Sequence, residues 1–309
     1  MSENKKCVRF KETGEAPTSF KVLDVLYLIL MFAPILVTIV LKVLFTPASE
    51  GISIGGAMIF FTVPMPIQNM PITEAQINSW MVVLTILGFC LYFTHGIRAD
   101  VPTKRQYLCE WAVEKMDNMT VDNMGEFFRN FAPFITSILI LSAFSSLLSL
   151  FGVFAPTSDL NVIAGWGILV FILITYYKLK GGVLYYAKGY LEPIPILLPM
   201  NILSEFSTPV SMTFRHYGNV MSGAVIGVLL AAALEGLSGL VLGWIPGFVG
   251  EIPLFRIGIP AVLSLYFDIF SGCMQAYIFA MLTMMNVSGG FPQDEYEKRL
   301  ARKMAKKAA

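Results

Sequence analysis

The sequence predicts an all-α, polytopic membrane protein of about six passes that ends in a long, steeply tilted helical hairpin. Three observations carry that prediction. Hydrophobic residues make up 56% of the chain and charged residues 14%, whereas soluble domains carry about 25% charged residues. Apolar runs recur that are long enough to cross a hydrocarbon layer about 30 Å thick. Finally, 19 of the 22 Lys and Arg residues fall in four segments, 1–21, 98–130, 178–192 and 293–309, which alternate with connectors nearly free of them. Outside those segments stand only Lys42, Arg215 and Arg256. Basic loops stay in the cytoplasm, so the pattern predicts six passes with both termini cytoplasmic.

The same inventory excludes several classes. Net charge is +1, so charge balance points to no nucleic-acid partner. Cys7, Cys90, Cys109 and Cys273 lack metal-like spacing and read as free thiols or small hydrophobes. His95 and His216 are too few for a metal centre. There is no Gly-rich phosphate loop, nucleophile elbow or internal repeat, so neither a cofactor, a metal nor an enzymatic site is expected. No secretory signal is evident, because 21 polar residues precede the first apolar run and no small-residue cleavage site follows it. Two sequons, at Asn118 and Asn286, read as chance matches.

The chain divides into a basic tail 1–21, an N-terminal span and outer connector 22–77, a membrane domain 78–292 and a basic tail 293–309. The first apolar run, 22–46, contains Pro34, which kinks a membrane helix without ending it, and Lys42, which snorkels. The connector 47–77 is rich in Gly and Pro; its apolar piece Ala57–Val63 is too short to cross and is expected at the interface. The second span is 79–97. The polar segment 98–130 follows, with helical character from Gln106 to Met116. The third span is 131–155 and the fourth, 162–177, is short. The chain then stays mostly apolar from Asn201 to Leu242, a helix about 60 Å long, twice the hydrocarbon thickness, which must tilt, bend or lie partly along the interface. A second long run, Ile257–Val287, returns and completes the hairpin 199–287.

Polar residues inside these runs are the candidates for function. Arg215 cannot lose its charge at any accessible pH, and a charge at bilayer depth faces a partner or water. It is either a structural residue held by a nearby carboxylate or a fixed charge on an ion path. Asn219, four residues on, shares its helix face. Asp268 and Gln275, seven apart in the returning run, share another. Asn201, Ser204 and Glu205 add polarity near the cytoplasmic end, and Glu235 lies near the opposite surface. Two half-open aqueous routes separated by a cation fit that distribution; so do glutamates that sit at headgroup level. His216 points about 100° away from Arg215 and is expected to be a hydrogen-bonded, buried histidine or to face another route. Met274, Met281, Met284 and Met285 read as lipid-facing or core-packing residues.

Over residues 72–287 the sequence resembles subunit a of the F-type ATP synthases, of bacterial type. The most specific pieces are Pro209-Val-Ser-Met-Thr-Phe-Arg215-His-Tyr-Gly218-Asn219 and Gln275-Ala-Tyr-Ile-Phe-Ala-Met-Leu-Thr283. Val101-Pro-Thr-Lys104-Arg-Gln106 with Glu110, Pro156-Thr-Ser-Asp159-Leu-Asn161, and Lys180-Gly181 with Lys188 and Pro193 support them in the same order. The resemblance implies a non-catalytic, ion-translocating subunit of the bacterial plasma membrane. Its partners would be the rotor ring of c subunits, the b subunits of the peripheral stalk and membrane lipid. Arg215 would be the essential stator arginine, between two half-channels bordered by Asn219 and Gln275. Departures are Ala224, where many members carry a carboxylate or histidine, Asp268, where others have His or Glu, and Ser149, where some have an acid. The span 22–46 is an extra crossing. The outer route is therefore expected to rest on Asp268. A self-contained secondary cation transporter binding substrate at Arg215 and Asp268 is the alternative; a non-conducting scaffold would leave the mid-membrane charge unexplained.

Overall fold

The computed structural model describes residues 18–45, 56–66, 69–97, 104–191, 194–242, 262 and 265–308. The chain is a bundle of helices: α1 (Thr18–Phe45), α2 (Glu74–Thr94), α3 (Lys104–Met124), α4 (Ala132–Leu147), α5 (Leu160–Lys180), α6 (Val183–Gly189), α7 (Leu198–Leu242), α8 (Gly272–Gly289) and α9 (Gln293–Ala308). Six helical stretches among the described residues are long and apolar enough to cross a membrane: Phe20–Phe45, Glu74–Thr94, Glu126–Phe151, Leu160–Lys180, Pro195–Val241 and Ile269–Gly289. These are the six passes the sequence predicts.

Local chemistry sets several boundaries. Thr73 caps α2, its hydroxyl accepting from the Gln76 amide at 3.4 Å. Asp159 caps α5, accepting from the Asn161 amide at 2.9 Å, while Lys178 and Lys180 occupy the last turn, where the helix dipole favours cations. That accounts for the Asp159-Leu-Asn161 piece in structural terms. The fourth span is 21 residues, Leu160–Lys180, longer than the apolar run alone suggests.

Two elements go beyond the sequence reading. In the connector, β1 (Ile59–Val63) pairs antiparallel with β2 (Met70–Thr73), Phe61 opposite Ile72 and Val63 opposite Met70. The β-branched and aromatic residues of Ile59-Phe-Phe-Thr-Val63 favour that conformation, but five residues without clean alternation give little sequence signal. The C-terminal tail is also helical, as α9.

The core forms around α8, whose Gln275, Ala276, Phe279, Ala280, Thr283, Met284 and Val287 are buried against α4, α5 and α7. At one end Phe127, Phe128, Phe131, Tyr177, Phe291 and Tyr296 form an aromatic cluster. Helix pairs approach closely where a side chain is missing: a Cβ at Gly88 would lie 2.6 Å from the Met31 backbone nitrogen, and one at Gly167 would collide with Thr213 Oγ1. Such contacts are how membrane helices associate without a hydrophobic driving force. The extra helix α1 is fixed at its N-terminal end by polar contacts too. The Asp24 carboxylate accepts from Arg105 at 2.9 and 3.1 Å and lies 3.0 Å from His95 Nδ1, tying α1, α2 and α3 together.

Candidate functional site

α7 is one unbroken helix of 45 residues, about 67 Å long at 1.5 Å per residue. Pro209 lies inside it, buried; Thr213 Oγ1 donates to the Pro209 carbonyl at 2.9 Å. Arg215 is exposed, and no carboxylate among the described residues pairs with it. It borders a cavity of about 510 Å³ together with Ser204, Ser207, Thr208, Ser211 and Asn286. Met200, Leu203, Met212 and Leu282 complete the lining, so the guanidinium heads a hollow of mixed character.

One turn further, Asn219 Nδ2 donates to Gln275 Oε1 at 2.5 Å. Gln275 is 2% exposed, and a buried amide needs such a partner. This bond joins the two helices that the sequence pairs as a hairpin, at the residues it singles out. His216 lies on the opposite side. It is fully buried, edge-on to Trp166 and Phe279, with Nε2 3.4 Å from Ser142 Oγ. Its Nδ1 has no hydrogen-bond partner among the described residues. It borders none of the cavities described here.

Towards the N-terminal end of α7 lies a second polar cluster. Glu205 accepts from Lys178 Nζ at 2.9 Å and from the Tyr190 hydroxyl. The Tyr186 and Tyr190 hydroxyls lie 2.5 Å apart, and Asn201 Nδ2 donates to the Tyr190 carbonyl at 2.9 Å. Burial, then the neighbouring Glu205 carboxylate, raises the Tyr190 pKa above its ordinary value, so this phenol stays a neutral donor. Cavities of about 320 and 240 Å³ adjoin the cluster, lined by Lys178, Tyr190, Asn201, Ser204 and Glu205 in the first and Lys178, Glu205, Thr208 and Asn286 in the second. Ser204, Thr208 and Asn286 also border the Arg215 cavity. A polar strip thus runs from Tyr190 past Glu205 to Arg215.

The remaining candidates stand apart from it. Glu235 is exposed on α7. Ser149 is half-buried in a 3-10 turn after α4 and donates to the Ser146 carbonyl at 2.6 Å. Asp268 sits in a π-helical turn, Tyr266–Ser271, just before α8, and its side chain lies outside the described residues. The residues missed in the sequence are Lys178, Tyr190, Thr208 and Asn286. Asn286 carries a readable signal, since eleven residues from Gln275 is about three turns and returns to the same face. Lys178 looked only like loop charge, because its partner Glu205 is 27 residues away.

A family model of the ATP synthase A chain matches residues 76–288. The chain belongs to that family. The subunit a named sodium ion specific from Propionigenium modestum is 27% identical over 276 residues, covering 79% of this chain and 88% of that protein. The ATP synthase subunit a of Legionella pneumophila is 26% identical, covering 75% and 93%, and that of Bacillus pumilus is 32% identical, covering 60% and 79%. As an ATP synthase A chain, this is an ion-translocating, multi-pass membrane subunit, and the self-contained secondary transporter falls away. The match leaves out α1 and α9, which frame the family domain at either end.

Proposed function

We propose that this chain carries H⁺ or Na⁺ between the two membrane surfaces and a rotating c-ring, through two half-channels kept apart by Arg215. The observation that carries the reading is the exposed guanidinium of Arg215, without a carboxylate partner among the described residues, on a very long apolar helix, beside a cavity lined in part by hydroxyls and one turn from the Asn219–Gln275 bond. A fixed cation there stabilises an ionised ring carboxylate, lowers its pKa and releases its ion. The same charge opposes direct passage of a cation between the routes. Phe206, Val210 and Phe214 are exposed and line up with Gly218, whose Cβ position has no neighbour within 4 Å among the described residues, and that face suits a closely fitting ring.

In this reading the strip past Asn201, Ser204 and Glu205 is the cytoplasmic half-channel. The outer one rests on Asp268, whose backbone lies in the π-helical turn; such turns recur at functional sites, and its carboxyl is expected at least one side chain or water away from Arg215. The subunit is non-catalytic, resides in the bacterial plasma membrane with both termini cytoplasmic, and is held by peripheral-stalk b subunits. The relative named sodium ion specific makes Na⁺ as eligible as H⁺.

The test is ATP-driven ion pumping by the reconstituted complex, in Na⁺-free and Na⁺-containing buffer, with Arg215→Ala and Asp268→Asn. Arg215→Ala is expected to assemble, keep ATP hydrolysis and lose pumping to background. Asp268→Asn is expected to slow pumping strongly, and Asp268→Glu to retain part of it. An Arg215→Ala complex that assembles and pumps normally overturns the mechanism.

A further inference from the structure

We infer that α9 is a membrane-surface element whose basic, amphipathic body lies among anionic lipid headgroups. The helix spans Gln293–Ala308 and lies wholly beyond the family match, which ends at residue 288. It begins four residues after the end of the last membrane span. Its first turns are held at that level. The Tyr296 ring lies 5.6 Å from Phe127 and 5.4 Å from Phe291, and the Arg299 guanidinium fills the space above Gly182, two residues beyond the end of α5. Phe127, Gly182 and Phe291 all adjoin ends of membrane-spanning helices, so this part of α9 sits where one surface of the bilayer must be.

From that anchor the composition separates by side. Tyr296, Leu300 and Met304 recur every four residues, within an arc of about 80° at 3.6 residues per turn. Beyond Tyr296 the described residues leave the stripe open: Leu300 is 44% and Met304 60% exposed. Lys298, Arg299, Arg302, Lys303 and Lys306 fall in a separate arc of about 140°, Lys307 returns to the apolar side, and no acid follows Glu297. The three acids, Asp294, Glu295 and Glu297, lie near the N-terminus, where the helix dipole favours them. An apolar stripe left open by the described residues beside five cations, at the edge of the bilayer, matches a helix that sets its apolar side at the acyl boundary and its cations among lipid phosphates. The same end of the molecule exposes Leu184 and Ile196, 84% and 80%, further apolar surface at that level. An acidic protein surface would meet the cations but leave the stripe in water, which is why lipid is the occupant the arrangement favours.

The test is amide hydrogen exchange across residues 297–308 of the full chain, in nanodiscs of phosphatidylcholine alone and of phosphatidylcholine with about one-third phosphatidylglycerol. Exchange is expected to slow about tenfold in the anionic discs and to recover in high salt. Lys303→Gln, Lys306→Gln and Lys307→Gln together should remove the lipid-charge dependence, and Leu300→Ser with Met304→Ser should remove the protection in both discs. Unchanged exchange in α5 and α8 serves as the folding control for both variants. Exchange that ignores lipid charge overturns the proposal. So does protection that appears only when the other synthase subunits are present, which would assign this face to a protein. Neither result bears on Arg215 or on ion transfer, so the two readings stand or fall separately.

Discussion

A helix turns about 100° per residue, and Arg215 and His216 show what that does at a single step of sequence. Arg215 is exposed beside a cavity, whereas His216 is fully buried between Trp166 and Phe279. Their substitutions should therefore fail differently. His216→Ala removes a packed ring and leaves a void, so stability should fall by on the order of 2–4 kcal/mol, the range of large-to-small core changes. The melting temperature of the purified subunit or complex reports this, and the fraction that stays folded should still pump. Arg215→Ala should do the reverse, keeping the melting temperature and losing pumping. A His216→Ala complex of normal stability would show that the imidazole contributes nothing to packing. Glu205 has a different place again. It holds both Lys178 and Tyr190, so Glu205→Gln should loosen that end of the strip and alter the rate of pumping while the Asn219–Gln275 bond persists.

At the scale of elements, the fold depends on where backbones approach one another. α5 reaches α7 at Gly167, where an added Cβ would overlap Thr213 Oγ1 and lie 3.5 Å from the Pro209 carbonyl oxygen. Gly167→Val must push the helices apart or displace Thr213, which is itself tied to that carbonyl. The expected cost is about 1–3 kcal/mol, as for overpacked cores, together with reduced pumping because α7 carries Arg215. Gly165, two residues earlier, has no packing neighbour within 4 Å of its Cβ position among the described residues. Gly165→Ala is therefore the control that should leave stability unchanged, and equal losses at the two positions would refute the close-approach argument. The hairpin β1–β2 belongs to this scale as well. Its strands are short and largely exposed, so local propensity and pairing form it, not core packing.

For the whole molecule, charge along the chain and contacts between helices should give one topology. Cysteine labelling from outside intact cells is expected to mark the connector 47–77 and to spare 1–21, 98–130, 178–192 and 293–309. Labelling of the N-terminal tail from outside would mean that α1 does not cross, although its Asp24–Arg105 and Asp24–His95 contacts bind it to α2 and α3. The number of spans and the unusual length of α7 were legible in the sequence. They depend on composition and periodicity within single runs, and a bilayer punishes any departure from them. Arg215, Asn219 and Gln275 were legible for the same reason, since a polar group in an apolar run is conspicuous by itself. Tertiary structure alone decided that Gln275 is the partner of Asn219, that Lys178 and Tyr190 hold Glu205, and that Ser142 stands beside His216. Those pairs are separated by 56, 27, 15 and 74 residues. No local pattern encodes them, because each depends on how two helices are rotated and spaced, and that is set by close contacts such as Gly167 against Thr213 and Gly88 against Met31.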